Sequence, residues 1–117
     1  LTVKPLNSGT TVGLGDGATG TLQLTTANFS TQLTDGFSSI TVGDANTGKI
    51  TAGTISPKDN LNLQSGADGM EITGALSLAS DATTVMLSST GSVTDSGSGA
   101  ITAANLALLG AGGAVRP

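Results

Sequence analysis

The chain has 117 residues and a formal net charge of −4, from eight acidic and four basic residues, and its length fits one domain. It contains 18 Gly, 13 Ser and 19 Thr but no Cys, His, Trp or Tyr. That excludes zinc fingers, haem and iron–sulfur ligation, and Ser–His–Asp or Cys–His nucleophile systems. The cations Lys4, Lys49, Lys58 and Arg116 form no run, so a nucleic-acid partner is not expected. No stretch approaches the roughly 20 apolar residues of a membrane span, so insertion of this segment is not expected either.

Small-residue richness raises the question of disorder, but 14 Leu, 5 Ile, 6 Val and 2 Phe are present, net charge is small, and the apolar residues are regularly spaced. In chain order they alternate as Leu22-x-Leu24, Ile40-x-Val42, Leu61-x-Leu63, Leu76-x-Leu78, Val85-x-Leu87 and Leu106-x-Leu108, the period-two pattern of strands. Turn clusters separate them at 7–11, 15–20, 43–48, 65–69 and 94–99. Strands of three to five residues are predicted, with apolar onsets near 3, 12, 22, 33, 40, 50, 55, 61, 72, 76, 85, 93, 101, 106 and 115. Ala100 to Ala107 has enough Ala and Leu for a helix, but Gly110, Gly112, Gly113 and the β-branched pair Ile101-Thr102 favour strand.

The chain also repeats itself. Lys49 to Ser56 matches Glu71 to Leu78, and both match Ala100 to Leu108, while Asn60 to Ser65 matches Thr84 to Ser89, giving offsets of 22, 29 and 24 residues. Repeats of this size mean stacked supersecondary units. The predicted fold is all-β: a parallel β-helix of about five turns with three short strands per turn, filling 1–117 as a single segment. Inward Leu, Ile and Val would fill a narrow core, and Gly, Ser and Thr would allow tight corners. The chain opens at Leu1 and stops at Ala114-Val115-Arg116-Pro117, which reads as the start of another strand. A fragment of a much longer chain is expected.

Three phrases carry a family look: Thr11-Val12-Gly13-Leu14-Gly15-Asp16-Gly17, Asp35-Gly36-Phe37-Ser38-Ser39-Ile40-Thr41-Val42-Gly43, and Gly91-Ser92-Val93-Thr94-Asp95-Ser96 followed by Gly99 to Leu106. Over essentially its whole length the chain resembles the repeats of filamentous-haemagglutinin-like bacterial exoproteins of the two-partner-secretion adhesin type. The resemblance implies a right-handed β-helical shaft in a secreted or cell-surface protein, with an outer-membrane secretion partner for the parent. It does not extend to the family's N-terminal secretion domain or to a toxin-like tip, and no functional residue transfers through it.

Candidate chemistry is sparse. Gly13-x-Gly15-Asp16-Gly17 is half of the calcium nonapeptide of RTX β-rolls. Calcium needs six to eight converging oxygens, so a Gly-rich corner is the simpler reading; the alternative is a weak calcium site where Asp16, Asp35 and Asp44 meet on one edge. No Walker Lys follows these glycines, so a phosphate loop is rejected. Asp59, Asp68, Glu71, Asp81 and Asp95 suggest glycoside chemistry, which needs paired carboxylates across a cleft. Most stand beside Gly, Ser or Asn in turn signals, with no aromatic platform beyond Phe29 and Phe37, and they read as solvated corners. Phe29 and Phe37 are expected in a core layer or corner. Asn28-Phe29-Ser30 is a formal glycosylation sequon without expected meaning. Asn60, Asn62 and Asn105 are expected to form side-chain ladders between turns.

No catalytic, cofactor or metal residue is assigned, and an enzyme is the least supported class. The leading expectation is a structural shaft of a bacterial adhesin-like protein, presenting a distal tip or touching host or cell-surface molecules weakly and multivalently. One alternative is a self-assembling extracellular filament or matrix subunit, whose copies stack end to end through strand edges. A second is a calcium-binding module, RTX-like or Ig-like.

Overall fold

The structure is a computed structural model that describes residues 1–33, 35–79, 82–96 and 99–110. Among these the chain forms β1 (Thr2–Val3), β2 (Val12–Leu14), β3 (Leu22–Leu24), one wide helical turn of π type (Asn28–Gln32), β4 (Ile40–Gly43), β5 (Ile50–Ala52), β6 (Leu61–Ser65), β7 (Met70–Ile72), β8 (Ala75–Ser77), β9 (Thr84–Ser89), β10 (Val93–Asp95), β11 (Ala100–Thr102) and β12 (Asn105–Gly110). The fold is all-β in character, with parallel sheets. The first sheet has the order β1-β4-β6-β9-β12, the second β10-β7-β5-β2-β3, and the third pairs β11 with β8. A parallel bridge from Ile55 to Leu76 extends the third. From β4 onward the chain visits first, second and third sheet in that order three times, then re-enters the first as β12.

Register places like residues above one another. In the first sheet Val3, Val42, Leu63, Leu87 and Leu108 form one column, and Ile40, Leu61, Val85 and Leu106 another. In the second, Leu22, Val12, Ile50, Met70 and Val93 stand in line. Ile55, Leu76 and Ile101 line up in the third. The middle members are fully buried and join one hydrophobic cluster that draws on all three sheets. Alternation explains this: in β6 and β9 every second residue is buried and the others are half-exposed. Burying one such aliphatic side chain stabilises the fold by about 1.5–3 kcal/mol.

A polar pair continues the inward face. Ser65 Oγ donates to Ser89 Oγ at 3.0 Å, Ser89 Oγ donates to the Gly66 carbonyl at 3.2 Å, and the Gly91 amide donates to Ser89 Oγ at 3.0 Å. Both serines are buried. Ser89→Ala therefore strands the buried Ser65 hydroxyl, while the Gly91 amide keeps the Gly66 carbonyl at 3.2 Å, and a loss of about 1–3 kcal/mol is expected in urea unfolding; an unchanged urea midpoint would show the pair to be energetically idle.

Several predicted features need correction. No strand begins at Leu33. Instead Thr25 and Asn28 exchange hydrogen bonds (Thr25 N to Asn28 Oδ1, 2.6 Å; Asn28 N to Thr25 Oγ1, 3.1 Å), Thr31 Oγ1 donates to the Ala27 carbonyl, and Asn28 Nδ2 donates to Gln32 Oε1. These local bonds hold the backbone in a helical turn. Ile55 makes only a single bridge, two residues ahead of Pro57, which has no N–H to continue a ladder. The onset predicted at 72 lies at Met70. The onset at 115 falls outside the described residues. Of the repeat offsets, 24 is the true register, with Leu61 opposite Val85 and Ser65 opposite Ser89. The offset of 22 is two too long, since Ile50 pairs with Met70. A slip of two keeps every side chain on its own face, so pattern alone does not resolve it. The offset of 29 matches Ile72 of the second sheet to Ile101 of the third. The 100–107 stretch is strand, as β11 and β12.

Candidate functional site

The acids divide by environment. Asp16 and Thr26 close a reciprocal pair, Thr26 N to Asp16 Oδ1 at 3.2 Å and Asp16 N to Thr26 Oγ1 at 3.0 Å. Asp44 Oδ1 accepts from the Asn46 amide at 2.9 Å and the Thr47 hydroxyl at 3.1 Å. The Asn46 amide chiefly holds the Asp44 carboxyl below its ordinary value, against partial desolvation, with help from Thr47 and from Lys4 at 3.7 Å. Asp68 and Asp95 are exposed, and Asp81 lies outside the described residues. Among the described residues no three acids gather to hold a metal, so Asp16, Asp35 and Asp44 are not brought together. The Gly13-x-Gly15-Asp16-Gly17 stretch is a turn closed by the Ala18 amide on the Gly15 carbonyl.

Glu71 lies on the outward side of the second sheet, where Lys49 Nζ donates to its Oε1 at 2.9 Å. The Lys49 hydrogen bond, then one from Ser96, hold the Glu71 carboxyl below its ordinary value. With the folded pKa depressed, the stabilisation is present above the unfolded value of about 4.3 and is lost as pH falls through the folded one. Glu71→Gln is therefore expected to flatten the acid limb of a melting-temperature-versus-pH curve below about pH 4.3. A limb unchanged in the variant would assign that slope to other acids.

Asp59 departs from the solvated-corner expectation. It is only 5% exposed, its Oδ1 accepts from the Gly36 amide at 3.2 Å, and its Oδ2 is buried with no hydrogen-bond partner. It lines a corner cavity of about 300 Å³ with Asp35, Gly36, Phe37, Ser38, Asn60 and Ala82. The long connection from β3 to β4 brings residues 35–38 there, and the Asn60 carbonyl accepts the Ile40 amide just beyond. Asn60 Oδ1 accepts from the amides of Thr83 and Thr84 at 2.9 and 3.0 Å. Asn62 Nδ2 donates to Thr41 Oγ1 at 3.3 Å. So Asn60 and Asn62 do link successive passes, but through Thr and backbone. Asn105 is exposed opposite Thr84. Phe29 is fully buried, whereas Phe37 is 39% exposed at the cavity. The sequence signal for Asp59 was slight: an acid just ahead of a buried strand in a chain with few charges.

The second feature is an apolar end. Leu106, Leu108 and Leu109 of β12 are 49%, 41% and 54% exposed. Leu106 and Leu108 continue the buried columns of the first sheet, and with Ile72, Leu87, Val93 and Ile101 they line an apolar groove of about 320 Å³. At the other end of the second sheet, Leu22 and Leu24 of β3 are half-buried against the core.

No family model matches the chain, and neither a curated protein nor a solved structure proved similar to it.

Proposed function

We propose that this chain is a shaft segment of a large secreted or surface-exposed bacterial adhesin-like protein, coiled as a right-handed parallel β-helix of about five turns with three short strands per turn. The observation that carries the reading is the threefold visit to the three parallel sheets, with aliphatic columns running from one pass to the next. The right hand follows from the rule for parallel crossovers. Such a stack transmits position along its axis, and each unit is stabilised by its neighbours. It presents a distal tip or offers a repetitive polar face, Thr51, Glu71 and Thr94 in register on the second sheet for example, for weak multivalent contact. The haemagglutinin-like resemblance supports the same reading.

The test compares surface-coupled arrays of the chain with single copies against glycan panels and cell surfaces. Binding seen only at high density supports a shaft. Saturable tight binding by a single copy would replace that reading with a discrete binding module. A cryo-electron-microscopy reconstruction showing antiparallel pairing would end it outright.

The exposed leucines of β12 favour a second reading, end-to-end assembly of copies into a filament. Sedimentation velocity is expected to show concentration-dependent association that Leu106→Lys with Leu108→Lys abolishes. Monomers at high concentration would remove this reading.

A further inference from the structure

We propose that the corner cavity at Asp59 is a single-ion calcium site, an inference that goes beyond the shaft reading and does not depend on it. Two observations point there independently. Asp59 is only 5% exposed to solvent, yet one of its carboxylate oxygens has no partner. A buried carboxylate oxygen left unpaired is costly, and a cation is one group that satisfies it. The cavity it lines is also bordered by residues that carry oxygen: Asp35 with a second carboxylate, Ser38 with a hydroxyl, and Asn60.

The chemistry of these donors selects the ion. All are hard oxygens, and the chain has no Cys or His to hold a softer metal. Magnesium demands a near-ideal octahedron at short range, whereas calcium accepts irregular sets of six to eight oxygens, completed by water. Two carboxylates, one from an exposed turn, give a weak site of the extracellular class, with a dissociation constant of ~10⁻⁴–10⁻³ M. The site differs from the Asp16–Asp35–Asp44 edge, whose members are not gathered.

Its consequence is mechanical. The connection from β3 to β4 is the longest between described strands, and its turn touches the stack through the Gly36 amide on Asp59. Asn60, next in sequence, holds the Thr83 and Thr84 amides of the following pass. An ion shared by Asp35 and Asp59 fastens that connection to the column of passes beneath it.

Isothermal titration calorimetry of the full chain with calcium chloride, after chelator treatment, tests this. One ion per chain is expected, together with a rise in melting temperature of about 5 °C at tenfold excess over the dissociation constant. Asp59→Asn keeps an acceptor for the Gly36 amide and is expected to lose the calcium response. Asp35→Asn is expected to weaken binding at least tenfold, and Asp68→Asn to leave it unchanged. The proposal is overturned if the wild type gives no heat and no shift, as for a corner that holds only water. It is equally overturned if potassium chloride at matched ionic strength reproduces the shift, or if the response survives Asp59→Asn. Should Asp59→Asn not fold, the wild-type titration and Asp35→Asn decide. Binding at Asp59 leaves the strand content unchanged, so circular dichroism separates failure of this site from failure of the parallel-strand architecture.

Discussion

Leu63→Ala is expected to lower the unfolding free energy by about 2–5 kcal/mol, a large part of what a domain of this size possesses. Leu63 is fully buried, stands between Val42 and Leu87 in the first sheet, and belongs to the cluster drawn from all three sheets. Removing its side chain opens a cavity with neighbours on both sides, and a column held at fixed strand spacing relaxes little into it. The same change at Leu108, in the same column but 41% exposed, leaves mostly solvent-facing surface. It is expected to cost well under half as much, because less apolar area returns to water. Urea unfolding followed by circular dichroism compares the two. Equal midpoint shifts would mean that the columns do not act as a stacked core with a strong middle and a weak end. They would undercut the shaft reading as well, since that rests on neighbour-to-neighbour packing.

Much of this was legible in the sequence, and the reason is periodicity. In Leu61-Asn62-Leu63-Gln64-Ser65 and Thr84-Val85-Met86-Leu87-Ser88-Ser89 the alternation fixes which face is buried, and the match of small polar Ser65 to Ser89 fixes the register. Where residues are less distinctive, register was lost. Ile50 finds an isoleucine at 72 and a methionine at 70, both inward and both compatible with the core, and the sequence match chose the wrong one. The helical turn at 28–32 was hidden because its cause is a set of side-chain hydrogen bonds among Thr25, Asn28 and Gln32, which no hydrophobic pattern records. Asp59 was hidden for a related reason. Its burial comes from the 35–38 turn folding over it, a contact spanning 23 residues that composition near Asp59 does not announce. The apolar end follows from the columns: once Leu106 and Leu108 are in register with Val85 and Leu87, their exposure reflects only that no described strand lies beyond β12.

Gly69→Ala is expected to cost about 3 kcal/mol or more, because two separate penalties meet at one position. Gly69 has φ +77°, a conformation that L side chains rarely adopt. A Cβ built there would also sit 2.2 Å from the Ser92 carbonyl oxygen of the next pass, an atom of the backbone that cannot swing aside. That same oxygen accepts the Met70 amide at 2.9 Å, and the Gly69 carbonyl accepts the Ile50 amide at 3.2 Å. Any shift that relieves the clash therefore disturbs the pairing of β7 with both its neighbours. Two other glycines separate the causes. Gly17 has φ +84°, and a Cβ placed on it would meet nothing within 4 Å, so Gly17→Ala isolates the backbone strain, about 1–2 kcal/mol. Gly91 lacks positive φ, but its Cβ would lie 2.2 Å from the Ala67 carbonyl oxygen, so Gly91→Ala isolates the collision, about 1–3 kcal/mol. Thermal melts of the three variants should rank Gly69 as the most damaging. If Gly69→Ala were no worse than Gly17→Ala, successive passes would not approach as closely as the stacked corner requires. The tight corner, and with it the reason for so many glycines in this chain, would need another explanation.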